Sequence, residues 1–366
     1  MLELFQSMDI FAFGRSAALF VVVLGALVFF HEFGHFWVAR RCGVTVLTFS
    51  LGFGPKLFSR KRGDTEYCIS AIPLGGYVRM LGDDPTQELS VDERARAFLT
   101  QPIPQKIAIA AAGPVFNFLL AIVIFTVVYL SGVPVLTPHV GEVQKGSAAE
   151  TGGLKTDDLI LSIDGEVLEE WEVLRPRLQK AGGKESTFVV ERGGGQVTLQ
   201  ITPRRQETED LLGQPLTLWL IGIQPNGTQT IRHYSPLSAI GLGLSRTWEI
   251  SWLNVVSIVK MVQGKISSDN IGGPILIAQM ATQQAKEGLR NIALFTAVIS
   301  VSLGVMNLFP VPILDGGHIL FFLIEAILGR PLSLKTQERA QQAGMALLGL
   351  LMVFALYNDL VRVFTS

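Results

Sequence analysis

The sequence predicts a polytopic α-helical membrane protein with one soluble domain inserted between its helices. Charged residues make up 17% of the 366 residues, below the roughly 25% of soluble proteins, and the mean hydropathy is +0.41. Four runs are long and apolar enough to cross about 30 Å of hydrocarbon. A segment of different character, rich in glycine turns and short strand-like runs, separates the second run from the third.

The four predicted transmembrane helices lack charged side chains over most of their length. They comprise residues 16–39, 107–132, 292–314 and 340–358. The third run continues beyond Asp315 to Leu328, and Pro310 and Pro312 interrupt it. Buried helices of a soluble protein can imitate one such run, but four in one chain favour the membrane interpretation.

Basic residues in the loops predict the orientation. The loop after the first span and the loop before the last are rich in Lys and Arg, whereas the terminal flanks carry only Arg15 and Arg362. By the positive-inside rule both loops are cytoplasmic, and both termini and the long region between the second and third spans are extracytoplasmic.

This interpretation divides the chain into consecutive segments. They are 1–42, a first transmembrane helix; 43–104, a β-region and cytoplasmic loop; 105–132, a second transmembrane helix; 133–206, a small β-domain; 207–290, an extracytoplasmic linker with an amphipathic helix; 291–330, a broken third transmembrane helix; and 331–366, a cytoplasmic loop and the fourth transmembrane helix.

The outer region alternates strand-like runs with glycine turns. A strand–helix–hairpin order over 133–206 suits a peptide-binding β-domain, and a purely structural β-domain fits the pattern equally well. Farther on, Trp248 and Trp252 lie four residues apart in an amphipathic stretch. This spacing is typical of a helix at the membrane interface, although packing against the outer domain explains it as well.

The motif His31-Glu32-x-x-His35 ends the first span. On a helix, residues four apart share a face, so both histidines can bind one metal ion while Glu32 projects beside it. Zinc takes imidazole ligands readily, and a glutamate in this motif acts as general base on water. Ionisable residues at membrane depth are costly and usually functional, which favours a metal site over two packed histidines.

A zinc site needs a third protein ligand. Asp315 is the obvious candidate, because it lies at membrane depth where prolines and Gly316-Gly317 predict a broken backbone. A helix N-cap is the alternative role for this carboxylate. His318 either binds the metal or lies beside its ligands.

Asn117 is a polar residue in the otherwise apolar second span. Its amide either bonds a neighbouring helix or steadies a substrate carbonyl and the oxyanion formed from it. The residue chemistry leaves both alternatives open.

Taken together, these motifs resemble the site-2 protease family of intramembrane zinc metalloproteases, and most closely its bacterial regulator-of-sigma-E protease branch. The resemblance runs along nearly the whole chain, through HEFGHF, PLGGYVRMLGD, GPVFN, GSAAETGGLKTDDLILSIDG, YSPLSAIGLGLSRTWE, NIGGPI and NLFPVPILDGGH. It implies one zinc ion on His31, His35 and Asp315, with Glu32 as catalytic base. It also implies that Asn117 positions substrate.

The same resemblance implies further features of fold and substrate binding. The small domain is expected to be a single PDZ-like domain, and residues 44–83 a membrane-associated β-sheet whose edge pairs with an unwound substrate. Residues 270–275 are expected near the outer mouth of the site. Glycines in these motifs are expected to bind substrate, namely Gly75, Gly76, Gly113, Gly272 and Gly273.

The function expected from these observations is endoproteolysis within the membrane. The substrates are single-span membrane proteins, such as anti-sigma factors or signal-peptide remnants, in the bacterial inner membrane, after an upstream site-1 protease has removed the outer domain. The active site is expected near the cytoplasmic side. Nucleic acid is excluded as a partner, since the net charge is −1.

Two alternatives belong to other functional classes. One is a non-proteolytic scaffold with a PDZ-like domain and a vestigial metal site, which the intact motif disfavours. The other is a metal transporter, which is expected to carry more intramembrane carboxylates. Glu325 is the only further one, and its place near Arg330 predicts an interfacial position.

Overall fold

A computed structural model describes residues 10–84, 86–209, 215–265 and 272–365 of the chain. These residues form two compact units. Among the described residues, the helical unit comprises 10–84, 86–128, 237–259 and 272–365, and the strand-rich unit comprises 129–209, 215–236 and 260–265.

The helices of the described ranges are, in chain order, α1 (Ile10–Arg41), α2 (Val91–Arg94), α3 (Ile103–Ser131), α4 (Ala148–Thr151), α5 (Leu174–Ala181), α6 (Pro236–Val262), α7 (Pro274–Lys286), α8 (Leu289–Leu308), α9 (Asp315–Leu328) and α10 (Leu334–Thr365).

Four helices of the helical unit are long and apolar enough to cross a membrane. The qualifying stretches are Ala18–Arg41 in α1, Ile103–Ser131 in α3, Leu289–Leu308 in α8 and Leu334–Phe364 in α10. The four predicted membrane helices are therefore confirmed. The third is shorter than its predicted span, because Pro310 lacks an amide proton and ends the helix at Leu308.

Helix α3 packs closely against α1 because small residues line the contact. A Cβ atom at Gly34 of α1 would lie 2.4 Å from the carbonyl oxygen of Ala112. Ala112 of α3, which faces this glycine, is also buried. Small residues let two membrane helices approach at backbone distance.

The first two strands, β1 (Val46–Arg62) and β2 (Thr65–Met80), form a sheet in the helical unit. Leu51 pairs with both Gly76 and Ile69, so the first half of β1 lies between the two halves of β2. Within the described ranges, residues 76–80 pair with β1 alone and form one edge of the sheet. Large apolar side chains at the far end of the sheet are exposed, namely Phe53, Leu57, Phe58, Ile69 and Ile72.

The strand-rich unit contains ten strands in the described ranges: β3 (Val133–Leu136), β4 (Val140–Val143), β5 (Leu159–Ile163), β6 (Glu166–Val167), β7 (Ser186–Arg192), β8 (Gly195–Ile201), β9 (Arg204–Glu209), β10 (Pro215–Leu220), β11 (Ile223–Pro225) and β12 (Gln229–Arg232). Four of them form an antiparallel sheet in the order β6-β5-β7-β8. The remaining strands pair as β3 with β12, β4 with β11 and β9 with β10. Its core is continuous and apolar, with Phe188, Ile160 and Val190 fully buried.

The unit extends farther than residues 133–206. Strands β11 and β12 lie within residues 207–290, for which the sequence predicts a linker, and they pair with β4 and β3 near the start of the unit. Such pairing joins strands about 80 to 100 residues apart, which local sequence patterns do not reveal.

A buried ion pair closes the turn before β5. Asp157 has a φ of 67°, the left-handed conformation that Asp tolerates better than most residues. Asp158 is fully buried and accepts hydrogen bonds from Arg192 and from the Lys155 amide. Burial tends to raise the pKa of Asp158, but the bonds from Arg192 and Lys155 outweigh it and hold the pKa below its usual value.

Candidate metal centre

Helix α1 presents two imidazole rings near its arginine-rich end. His31 and His35 lie one turn apart, and their Nε2 atoms are 3.3 Å apart. The rings meet edge to face, with centroids 4.9 Å apart. Two neutral imidazole nitrogens that face each other at this distance are disposed to share a cation.

Asp315 reaches the histidines because α9 begins there. Gly316 and Gly317 follow it, and a Cβ atom on either would lie 2.3 Å from a carbonyl oxygen of the preceding turn. Only glycine allows the chain to fold back so tightly. The carboxylate then lies with Oδ2 3.2 Å from His31 Nε2 and Oδ1 3.4 Å from His35 Nε2.

The three side chains fit a zinc ion. Their ligand atoms all lie within 4.8 Å of one another, and the closest pairs are 3.2 to 3.4 Å apart. Two ligands of a tetrahedral zinc with bonds near 2.0–2.1 Å are about 3.4 Å apart. Asp315 Oδ2 is also buried without a hydrogen bond, as expected of an oxygen directed at an ion rather than at a donor.

Helix α3 supports both histidines from behind. His35 Nδ1 donates to the carbonyl oxygen of Ile109 at 2.8 Å, which leaves Nε2 free to bind a metal. Gly113, one turn later, lies against both rings: a Cβ atom there would be 2.3 Å from His35 Nε2 and 2.8 Å from His31 Nε2. The metal centre therefore requires glycine at this position of α3.

Asn117 continues the same face of α3 and contacts His31. Its Nδ2 lies 3.3 Å from His31 Nδ1, and its Oδ1 is buried without a hydrogen bond. A histidine that binds metal through Nε2 carries its proton on Nδ1 and needs an acceptor there. A 180° rotation of the Asn117 amide exchanges Nδ2 and Oδ1 without changing the space that the side chain fills. In that orientation Oδ1 accepts the proton of His31 Nδ1, so that both of these atoms have a hydrogen-bond partner.

Glu32 lies beside the metal centre, against the sheet edge. At Gly76 a Cβ atom would be 2.9 Å from Glu32 Cγ and 2.7 Å from the Ser50 carbonyl oxygen. The glycine therefore lets the edge segment 76–80 approach the carboxylate of α1. This places the expected base and an unpaired strand edge side by side.

Sequence comparison identifies the family. The profile of peptidase family M50 matches residues 19–351, which is most of the chain. The chain belongs to peptidase family M50. This is the site-2 protease family, so the M50 chain is a zinc metalloendopeptidase of the membrane.

Relatives of the M50 protease match it nearly end to end. A protein of Agrobacterium fabrum, named for an inferred zinc metalloprotease activity, is 41% identical over 356 residues, covering 93% of this chain and 94% of the relative. A protein of Rhizobium meliloti named in the same way is 39% identical over 355 residues, covering 93% and 95%. The regulator of sigma E protease of Salmonella typhimurium is 34% identical over 442 residues, covering 94% and 98%. That alignment exceeds 366 residues, so the Salmonella protein contains residues that the M50 protease described here lacks.

His318, Gly75 and Gly272 are not part of the metal-ligand group in the described structure of the protease. Within the part of the chain that the structure describes, the metal-binding group comprises His31, His35 and Asp315, and His318 lies outside it. Gly75 has a φ of 138° and packs against the Phe53 ring. Gly272 contacts the Leu276 side chain.

Gly273 lacks a side chain, so the buried carboxylate of Asp359 can lie close to the first turn of α7. Asp359 of α10 accepts hydrogen bonds from the amides of Gly273, Ile275 and Leu276. A Cβ atom at Gly273 would lie 2.6 Å from Asp359 Oδ2. The contact caps α7, whose first-turn amides have no partner within the helix. Asn270 and Ile271 of the same motif lie outside the described residues.

The helical unit of the protease also contains an apolar groove of about 690 Å³. It is formed by α3, α6, α8 and the turn before α9. Phe118, which follows Asn117, and Phe309 and Pro310, which precede Asp315, contribute to its wall. Trp248 of α6 also lines it, and this residue and Trp252 are largely exposed.

The contact at Gly113 leads to the first prediction. Gly113→Ala is expected to lower zinc affinity about 10- to 100-fold, because the new methyl group displaces both imidazole rings. Chelator competition on the purified protein measures the affinity. Gly25→Ala is the matched control, since a Cβ atom on that glycine of α1 meets nothing within 4 Å. Equal zinc affinity in the two variants would contradict the described geometry.

Proposed function

We propose that this M50 protease cuts single-span membrane proteins within their transmembrane segment. The observation that carries the proposal is the position of the metal-ligand cluster. His31 and His35 lie in one candidate membrane span, and Asp315 lies a short non-helical segment after another. A hydrolytic centre among membrane helices is placed to cleave a peptide bond that also lies within the membrane.

The proposed depth of the centre is close to the cytoplasmic surface of a bacterial inner membrane. Arg40 and Arg41 end α1 one turn beyond His35, and their guanidinium groups lie over the Phe36 and Trp37 rings. Aromatic rings are enriched at both membrane interfaces, and basic side chains favour the cytoplasmic one. Water therefore reaches the centre over a short distance, while both termini lie on the extracytoplasmic side.

In the proposed mechanism, His31, His35 and Asp315 hold one zinc ion. Bound zinc supplies Lewis acidity, which polarises the scissile carbonyl and lowers the pKa of water. Glu32 accepts the proton of the attacking water and passes it to the leaving amide nitrogen. Its place next to the ligands, on the same turn of α1, suits this transfer.

The substrate backbone is proposed to pair with the sheet edge at residues 76–80. A helical substrate hides its peptide bonds, whereas an extended segment added to a strand edge exposes them. Gly76 brings this edge against Glu32. Main-chain hydrogen bonds hold the extended segment without strict side-chain selection, and the apolar groove accepts the adjoining part of the substrate helix.

The strand-rich unit is proposed to be a single PDZ-like domain on the extracytoplasmic side. Its four-stranded sheet and the short helix α5, which ends at the left-handed Gly182, agree with the strand–helix–hairpin order. In this position it meets the outer remnant of a substrate that an upstream protease has shortened.

The membrane sheet formed by β1 and β2 contacts lipid through its exposed apolar side chains.

The proposal is tested with a single-span reporter that lacks an outer domain. Glu32→Gln is expected to reduce cleavage within the span by about 10²- to 10⁴-fold, because the amide cannot accept the proton of water. Zinc content is expected to stay at the wild-type value, since Glu32 is not a ligand. Purified protein in detergent and mass spectrometry of the products give both quantities.

His35→Ala provides the complementary control, with loss of both zinc and cleavage. A reporter cut equally by wild type and Glu32→Gln would contradict the assigned base. Zinc-loaded wild type that cuts a soluble unfolded peptide but no membrane-spanning reporter would contradict the proposed substrate class.

Asn117 has two proposed contacts, one with substrate and one with His31. Asn117→Leu removes both, whereas Asn117→Asp keeps an acceptor for His31 and removes the amide donor. We expect Asn117→Leu to lower zinc affinity about 10- to 100-fold and Asn117→Asp to preserve it. Chelator competition and kcat are measured on both variants. If Asn117→Leu binds zinc normally and loses only kcat, the contact with His31 has no role.

A further inference from the structure

An ion pair joins α3, which contacts both histidines, to α9, which begins at Asp315. Lys106 Nζ donates to both carboxylate oxygens of Glu325, at 2.7 Å each. Lys106 is 3% exposed. Its ammonium group also lies 5.0 Å from the centre of the Phe322 ring, which packs edge to face against Phe98.

Both members of the pair lie on helices that build the metal centre. Lys106 is the only charged residue of α3, and it shares a face with Ile109, Gly113 and Asn117. Ile109 contacts His35, Gly113 contacts both histidines, and Asn117 contacts His31. Glu325 lies on α9, almost three turns after Asp315. The pair therefore links the helix that supports the histidines to the helix that carries the third ligand.

Helix α9 has few other buried anchors. Its buried residues are Gly316 and Gly317 at the first turn and Phe322 in the middle. The segment before it, residues 309–314, is not helical. Without a contact near its far end, α9 is held beyond its first turn by Phe322 alone among its buried residues. A change in the orientation of α9 then moves the carboxylate of Asp315 relative to the imidazole rings.

We propose that Lys106 and Glu325 are positioning residues of the metal centre. Their ion pair fixes α9 against α3 so that Asp315 meets His31 and His35 at ligand distance. A buried pair is a poor source of net stability, because desolvation offsets its attraction, whereas it specifies one arrangement of the two helices. The inference rests on the proposed ligand set.

Glu325→Asp is the main test, because it shortens the side chain by one methylene group and keeps the charge. We expect zinc affinity to fall about 10- to 100-fold and the visible spectrum of the cobalt-substituted protein to change, since that spectrum reports ligand geometry. Lys106→Met is expected to have a larger effect in the same direction. The double variant Lys106→Glu, Glu325→Lys restores the pair and is expected to recover most of the affinity.

Glu249→Asp is the matched control. It shortens the exposed pair of Glu249 with Arg246 on α6 and is expected to leave zinc affinity and spectrum unchanged. A purely structural role for Lys106 and Glu325 predicts a lower melting temperature with wild-type affinity and spectrum, and this result in Glu325→Asp would overturn the proposal. If His35→Ala also binds zinc normally, the ligand assignment fails instead, so the two failures are distinguishable.

Discussion

One face of α3 is the constraint on which the metal centre depends. Four residues recur at helical spacing along this face. Lys106 contacts Glu325 of α9, and Ile109 contacts His35. Gly113 contacts both histidines, and Asn117 contacts His31. The helix is held from the other side as well, since Ser300 of α8 donates to the Asn117 carbonyl oxygen at 2.7 Å. A membrane helix without hydrophobic drive toward its neighbours associates through such close packing and polar contacts.

The same arrangement reconciles a water-dependent reaction with an apolar surrounding. The histidines lie near the arginine-rich end of an apolar helix, and Asp315 starts a new helix after a proline-rich break, so their polar atoms come together in one cluster. Irregular backbone at membrane depth is tolerated where protein encloses it. The glycines at 76 and 113 remove side-chain volume where the sheet edge and α3 approach the reacting groups, which keeps the centre compact.

Local features of the sequence predict the four membrane helices and identify the side chains that meet at the metal centre. His31, Glu32 and His35 are detectable because their spacing matches a helical turn, and Asp315 because it is a lone carboxylate between broken apolar runs. Contacts across long stretches of chain were not predictable in this way. The pairing of Glu325 with Lys106, 219 residues earlier, is one such contact. The close approaches at Gly76 and Gly113 and the strands within 207–235 depend equally on tertiary pairing. A single sequence does not show which distant elements meet.

Zinc X-ray absorption on the purified wild-type protein and on Asp315→Cys tests the central claim most directly. The account predicts nitrogen and oxygen ligands near 2.0–2.1 Å in the wild type, with outer-shell scattering from two imidazole rings. In the variant it predicts either one sulfur ligand near 2.3 Å or loss of the ion. A fully occupied zinc whose spectrum is identical in the two proteins would contradict the assembly of His31, His35 and Asp315 into one metal centre.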